Sequence, residues 1–167
     1  MTQGKRNQKI EGSEVKIFSV PYDLGDINKD IAINTQIESE SSKEKIIQLA
    51  FKFHSQGKIL EAIKYYKYFV AQGFKDHRVF SNYGIVLKNL GQLKEAEIST
   101  RKAIELNPTF AEAHSNLGNI LRDLGKLKEA EISTRKAIEL NPEFAMAHAN
   151  LGNILRDLDN LKEAEIS

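Results

Sequence analysis

Residues 93–108, LKEAEISTRKAIELNP, return without a single change at 127–142, an offset of 34 residues. The stretch between the two copies, AEAHSNLGNILRDLGK from Ala111, comes back as AMAHANLGNILRDLDN from Ala145, and LKEAEIS opens once more at Leu161. A strict period of this length makes each copy a structural element stacked on its neighbours, not an independent domain. It also limits what else the chain can hold. A total of 167 residues accommodates a short array and a leader, with little room for two catalytic domains.

Within a copy, the apolar spacing describes two helices. Ala113, Leu117, Ile120, Leu121 and Leu124 recur at helical intervals, and Gly125-Lys126 supplies a turn. A second helix follows through Leu127, Ala130, Ile132, Ala137, Ile138 and Leu140. It stops at Asn141, because the residue before Pro142 is pushed out of the helical region. Gly118 lies inside the first helix, where glycine costs about 1 kcal/mol relative to alanine. The expected compensation is a close approach by the neighbouring helix, for which a side chain would leave no space.

With units set at 77–110 and 111–144, the recurring positions are Phe80 and His114, Tyr83-Gly84 and Leu117-Gly118, Leu87 and Leu121, Ala96 and Ala130, Thr100 and Thr134, Ala103 and Ala137, Pro108 and Pro142. This pattern resembles the tetratricopeptide repeat. Histidine and threonine stand where that family more often has a large residue and an aromatic, a departure expected to loosen the packing. A degenerate unit fits 43–76 in the same register, with Leu49-Ala50, Phe53, Gly57, Ala62, Tyr66 and Phe69. Its aromatic cluster of Phe51, Phe53, Tyr65, Tyr66, Tyr68 and Phe69 reads as a cap over the end of the stack. The expected organisation is a leader over 1–42 and an array over 43–167, with units at 43–76, 77–110, 111–144 and an incomplete one at 145–167. The resemblance implies an all-α fold, a right-handed superhelix of stacked antiparallel helix pairs with the first helices on its concave face.

The last unit stops before the final apolar residues and proline of its second helix, so the sequence reads as a truncated fragment of a longer chain. An uncovered terminal interface of this kind provides a route to self-association. In the leader, residues 1–13 are expected to be disordered, while the apolar pieces 17–20 and 31–33 could pack on the array. Lys5, Arg6 and Lys9 lack acidic neighbours, but the patch is short and reads as a solvated tail.

Rows of matching residues along the first helices are the candidates for function. One row is Asn82, Asn116 and Asn150; a second is Ile85, Asn119 and Asn153; a third is Lys88, Arg122 and Arg156, beside Asn89, Asp123 and Asp157. An asparagine amide offers donors and an acceptor, so a ladder of them can pair with a peptide main chain and ignore its side chains. The arrangement is similar to the asparagine ladder in the repeat domain of the O-linked N-acetylglucosamine transferase. It also resembles the carboxylate-binding repeat domains of Hsp70 and Hsp90 co-chaperones. The aspartates beside the basic row favour generic peptide holding over carboxylate selectivity. Simple solvation of a duplicated module stays open beside these readings.

The remaining function classes find little support. Lys plus Arg is 24 against 23 for Asp plus Glu, without the concentrated positive field that nucleic-acid binding needs. No run approaches the roughly 20 apolar residues of a membrane span. The chain has no cysteine, which removes thiol chemistry and favours a cytoplasmic location. His114 and His148 sit one repeat apart, too far for a shared metal, and read as core or interface residues; His54 and His77 have no adjacent ligand pattern. Glu129 with Glu131, like Glu95 with Glu97, reads as part of a salt-bridged face with Lys128, Arg135 and Lys136. No phosphate loop or dinucleotide fingerprint is present. The expectation is a non-catalytic scaffold without cofactor or metal that holds a protein or extended peptide. A structural, self-associating array, or the targeting region of a larger enzyme, is the alternative.

Overall fold

The computed structural model describes residues 39–166. The leader's apolar pieces and its three basic residues lie outside the described residues. Seven helices follow one another among the described residues: α1 Ser39–Ser55, α2 Ile59–Ala71, α3 His77–Asn89, α4 Leu93–Leu106, α5 Ala111–Asp123, α6 Leu127–Leu140 and α7 Ala145–Ile166. No described helix is long and apolar enough to cross a membrane. The first six form antiparallel pairs, α1 with α2, α3 with α4 and α5 with α6, and the pairs stack in chain order into a superhelical array.

Each pair turns at a glycine. Gly57, Gly91 and Gly125, spaced by the repeat period, have φ of 72°, 74° and 74°. This is left-handed backbone that a Cβ disfavours. At Gly91 the amide donates to the Lys88 carbonyl (2.9 Å) and the next amide, of Gln92, to the Leu87 carbonyl (2.9 Å), closing the helix end; Gly125 and Lys126 repeat both bonds on Arg122 and Leu121. The second unit opens on Asp76, whose Oδ1 accepts from the amides of Arg78 (2.9 Å) and Val79 (3.4 Å). Burial alone would raise the Asp76 carboxyl, but the hydrogen bonds and charge of Arg78, with the two amides, outweigh it and hold the group below the usual carboxylate range.

The fourth unit departs from the expected pair. At the period position of those glycines stands Asp159, and α7 runs through it from Ala145 to Ile166 as one helix of 22 residues. Without a residue that enters the left-handed region readily, the helix continues, and the LKEAEI stretch extends the first helix where α4 and α6 fold back.

Three clusters of buried residues form the core among the described residues. The aromatic one spans the cap and the second unit. Tyr66 and Phe69 are fully buried. Tyr66 stacks on Tyr83 (5.6 Å between ring centroids) and Phe69 meets Phe80 edge-on (6.4 Å), so these aromatics join the first two units. His54 Nδ1 lies 3.0 Å from the Tyr66 hydroxyl, and burial lowers its pKa. Further along, Leu117, Leu121, Ala130 and Ile154 pack together, as do Leu87, Ala96 and Ile120.

Thr100 and Thr134 do not loosen this packing. Both are fully buried, and each places its Oγ1 where a Cβ on Gly84 or Gly118 would fall. The small residue at the usual aromatic position is thus what allows the two helices of a pair to close. Thr134 donates to the Ala130 carbonyl (2.9 Å). Ile132 is the opposite case. Its spacing suggests a core position, yet it and its counterpart Ile98 are 70% and 64% exposed on the outer side of the second helices.

Candidate functional site

Curvature decides which residues share a face. The first helices touch across units, α3 with α5 and α5 with α7, whereas no comparable contact joins the second helices α4 and α6. The array therefore bends with α3, α5 and the first half of α7 on the inside. The three rows read from the sequence lie along these helices.

The asparagine row is built into the stack. Asn116 donates from Nδ2 to Ser81 Oγ of the preceding first helix (3.1 Å), and Asn150 does the same to Ser115 Oγ (3.1 Å). Asn82 lacks the counterpart because the matching position of the cap unit is the buried Ile47. Each of these three asparagines is half-buried, as are Asn119 and Asn153. One Nδ2 hydrogen of Asn116 and of Asn150 is used by the serine. The second hydrogen and the Oδ1 lone pairs are in no hydrogen bond among the described residues. The serine thus fixes the amide plane while leaving a donor and an acceptor on the concave side.

Charges on this face are paired across units. Lys88 Nζ lies 3.3 Å from Asp123, and Arg122 Nε lies 3.6 Å from Asp157, the same step of one repeat plus one residue. Arg122 also approaches its neighbour Asp123 (3.5 Å). Arg156 Nη2 donates to Asn153 Oδ1 (2.8 Å), and Asn89 is exposed at the end of α3. The basic row is thus largely neutralised by the acidic residues beside it. An incoming anion would have to displace a carboxylate to reach Lys88 or Arg122.

Of the two expectations for the histidines, core or interface, the structure shows the second. His114 Nε2 lies 2.9 Å from the Pro108 carbonyl, and His148 Nε2 lies 2.7 Å from that of Pro142. His114 is half-buried and His148 exposed, so each acts as an interface latch from a first helix to the loop before it. Among the described residues no group of three or more His, Asp or Glu is placed to hold a metal ion. Glu129 pairs with Arg101 of the preceding unit (3.1 Å), Glu131 with Arg135 (2.8 Å), and Lys136 with Glu139 (2.6 Å). Glu97 is held by Arg101 and Lys126 at 2.8 and 2.9 Å, and these partners keep its pKa low against the opposing effect of burial. A recess of about 570 Å³ lies between α4 and α6, with Ile104, Leu117 and Leu121 among its lining and the Arg101–Glu129 pair beside it.

Family models described as tetratricopeptide repeat match residues 77–110, 111–144 and 134–166, which together run over more than half of the chain. The chain belongs to the tetratricopeptide repeat family. No curated protein sequence matches it. Among solved structures, the first tetratricopeptide domain of Spaghetti (RPAP3) bound to the HSP90 peptide SRMEEVD is 25% identical, with a TM-score of 0.67 over 75% of this chain and 99% of that one. The second such domain of human RPAP3, in complex with the HSP70 peptide SGPTIEEVD, is also 25% identical, with a TM-score of 0.60 over 65% of this chain and 91% of that one. A mutant O-GlcNAc transferase of Thermobaculum terrenum is 22% identical, with a TM-score of 0.67; the match covers 72% of this chain and 23% of that one, and shows a shared fold.

What the sequence did not reveal about the tetratricopeptide face is the serine beneath Asn116 and beneath Asn150. Ser81 and Ser115 are buried polar residues of the first helices. A hydroxyl recurring at the repeat period one residue ahead of each asparagine's counterpart is a signal that could have found them.

Proposed function

We propose that this tetratricopeptide array is a non-catalytic scaffold that holds an extended segment of a protein partner on its concave face, chiefly through the partner's main chain. The observation that carries the reading is the pair of asparagine amides, Asn116 and Asn150, each anchored by a serine of the preceding unit and each retaining a donor and an acceptor. Side chains already held in position lose less conformational entropy when a ligand arrives. Asn82, Asn119 and Asn153 would extend the ladder, and Ile85 would offer one apolar contact within it. The solved relatives with HSP90 and HSP70 peptides support a peptide as the class of ligand. The pairing of Lys88 with Asp123 and of Arg122 with Asp157 favours a neutral main chain over a terminal carboxylate.

Selection of binders from a displayed peptide library, followed by calorimetry on the best sequence, tests this reading. Asn116→Ala with Asn150→Ala should remove about 1–3 kcal/mol of binding, roughly 5- to 150-fold in affinity, while the helical content stays intact. Unchanged affinity in the folded double variant would overturn the ladder. Ser81→Ala is the control. It keeps the Asn116 amide but frees it, and should weaken binding less than loss of the amide does.

A further inference from the structure

The first half of α7 lacks the cover that its counterparts have. In the preceding unit Ser115, Gly118 and Leu121 are all buried, and α6 lies against Gly118 so closely that a Cβ there would strike Thr134 and crowd the Ala130 carbonyl. The matching residues of α7, Ala149, Gly152 and Leu155, are exposed, and a Cβ on Gly152 would meet nothing within 4 Å. Leu121 is 1% exposed and Leu155 37%. The face is apolar, keeps the glycine and the leucine of the buried one with alanine in place of its serine, and is open.

The chain also carries the segment that would cover it. Residues 161–167, LKEAEIS, are identical to the opening of α4 and of α6, the helices that occupy this face in the two units before. Because α7 continues straight through Asp159, that segment leads away from the face it matches. Leu161 is 52% exposed, whereas its counterpart Leu127 at the start of α6 is 9% exposed. Segment and seat are therefore present in one copy but kept apart by the unbroken helix. Between two copies they can meet. Two α7 helices running antiparallel about a two-fold axis near Asp159 set the 161–166 stretch of each against the Gly152 face of the other, with the helix direction that α6 has on α5.

We infer that this face is an exchange site for a second copy of the chain, in which each α7 supplies its 161–166 stretch to the Ala149–Gly152–Leu155 face of the other. Such reciprocal exchange reuses an interface that the sequence already specifies and closes at two copies. The continuous hinge is what converts an intramolecular pair into an intermolecular one. The site lies on a different side of α7 from the asparagine that bonds Ser115, so exchange leaves that contact in place.

Sedimentation equilibrium of the full 167-residue chain over a concentration series provides the test, with circular dichroism as the check on folding. The chain should double its mass as concentration rises. Gly152→Leu fills the seat, its Cβ meeting nothing within 4 Å in a single copy, and it should stay monomeric with undiminished helicity. Ala164→Arg alters the residue that matches the buried Ala130 and should be monomeric as well. Mixed together, these two variants hold one intact seat and one intact segment, and should regain a dimer weaker than that of the parent chain. A parent chain that remains monomeric throughout, a Gly152→Leu or Ala164→Arg variant that dimerises as the parent does, or a mixture that stays monomeric would each overturn the exchange.

Discussion

At the scale of single residues, the packing turns on a glycine and a threonine facing each other. Gly118 was legible as a close-approach site, since a glycine inside a regular helix needs a compensating contact. The partner was not. Thr134 occupies a position where the family resemblance implied an aromatic and looser packing, but the backbone distance opposite Gly118 admits only a small side chain. Gly118→Ala should therefore cost roughly 1–3 kcal/mol by overpacking, and Thr134→Ala added to it should recover part of that loss by removing the Oγ1 that obstructs the new methyl. Chemical denaturation of the two variants checks this coupling; equal stability for the single and double variants would contradict it. The asparagine row was similarly half-legible. Its recurrence stands in the sequence, whereas the bond from Asn116 to Ser81 crosses between units and depends on how far successive first helices are displaced.

At the scale of elements, one residue separates a helix pair from a long helix. Gly57, Gly91 and Gly125 all take positive φ, and the fourth position in that series is Asp159, inside α7. The period made a second helix opening at Leu161 the natural expectation, because the LKEAEIS stretch matches its predecessors completely. Identity of the stretch fixed that it is helical; the turn before it decided its direction. Asp159→Gly with Asn160→Lys restores the Gly-Lys turn of 125–126 and should introduce a break with a positive φ at 159. Backbone chemical shifts around 155–163 report it directly. Uninterrupted helical shifts in that variant would show that the turn residue is not what keeps α7 straight.

For the whole molecule, curvature and charge pairing together shape the concave face on which we propose that a peptide is held. First helices that touch while second helices splay gather Asn82, Asn116, Asn119, Asn150 and Asn153 on one surface, and the one-repeat step that gathers them also brings Lys88 to Asp123 and Arg122 to Asp157. Composition already indicated a balanced surface, and the sequence placed acids beside bases; only the superhelix determines that the partner of each base is in the next unit. Asp123→Asn with Asp157→Asn should release both cations and raise affinity for a peptide ending in EEVD by roughly 3- to 30-fold at low salt, with the gain shrinking as salt is added. Calorimetry at two ionic strengths measures it, and no gain at either would mean that the pairing does not set ligand preference.

The most direct test of the central claim is a titration of the labelled protein with a library-selected peptide, following the side-chain amide resonances of its asparagines by nuclear magnetic resonance. Main-chain holding on the concave face predicts that the Nδ2 signals of Asn116 and Asn150 shift most, with Asn82, Asn119 and Asn153 alongside and the outer residues Arg101, Ile132 and Lys136 unmoved. Shifts confined to those outer residues, with the asparagine amides unchanged at saturation, would contradict the account and place the ligand in the recess between α4 and α6.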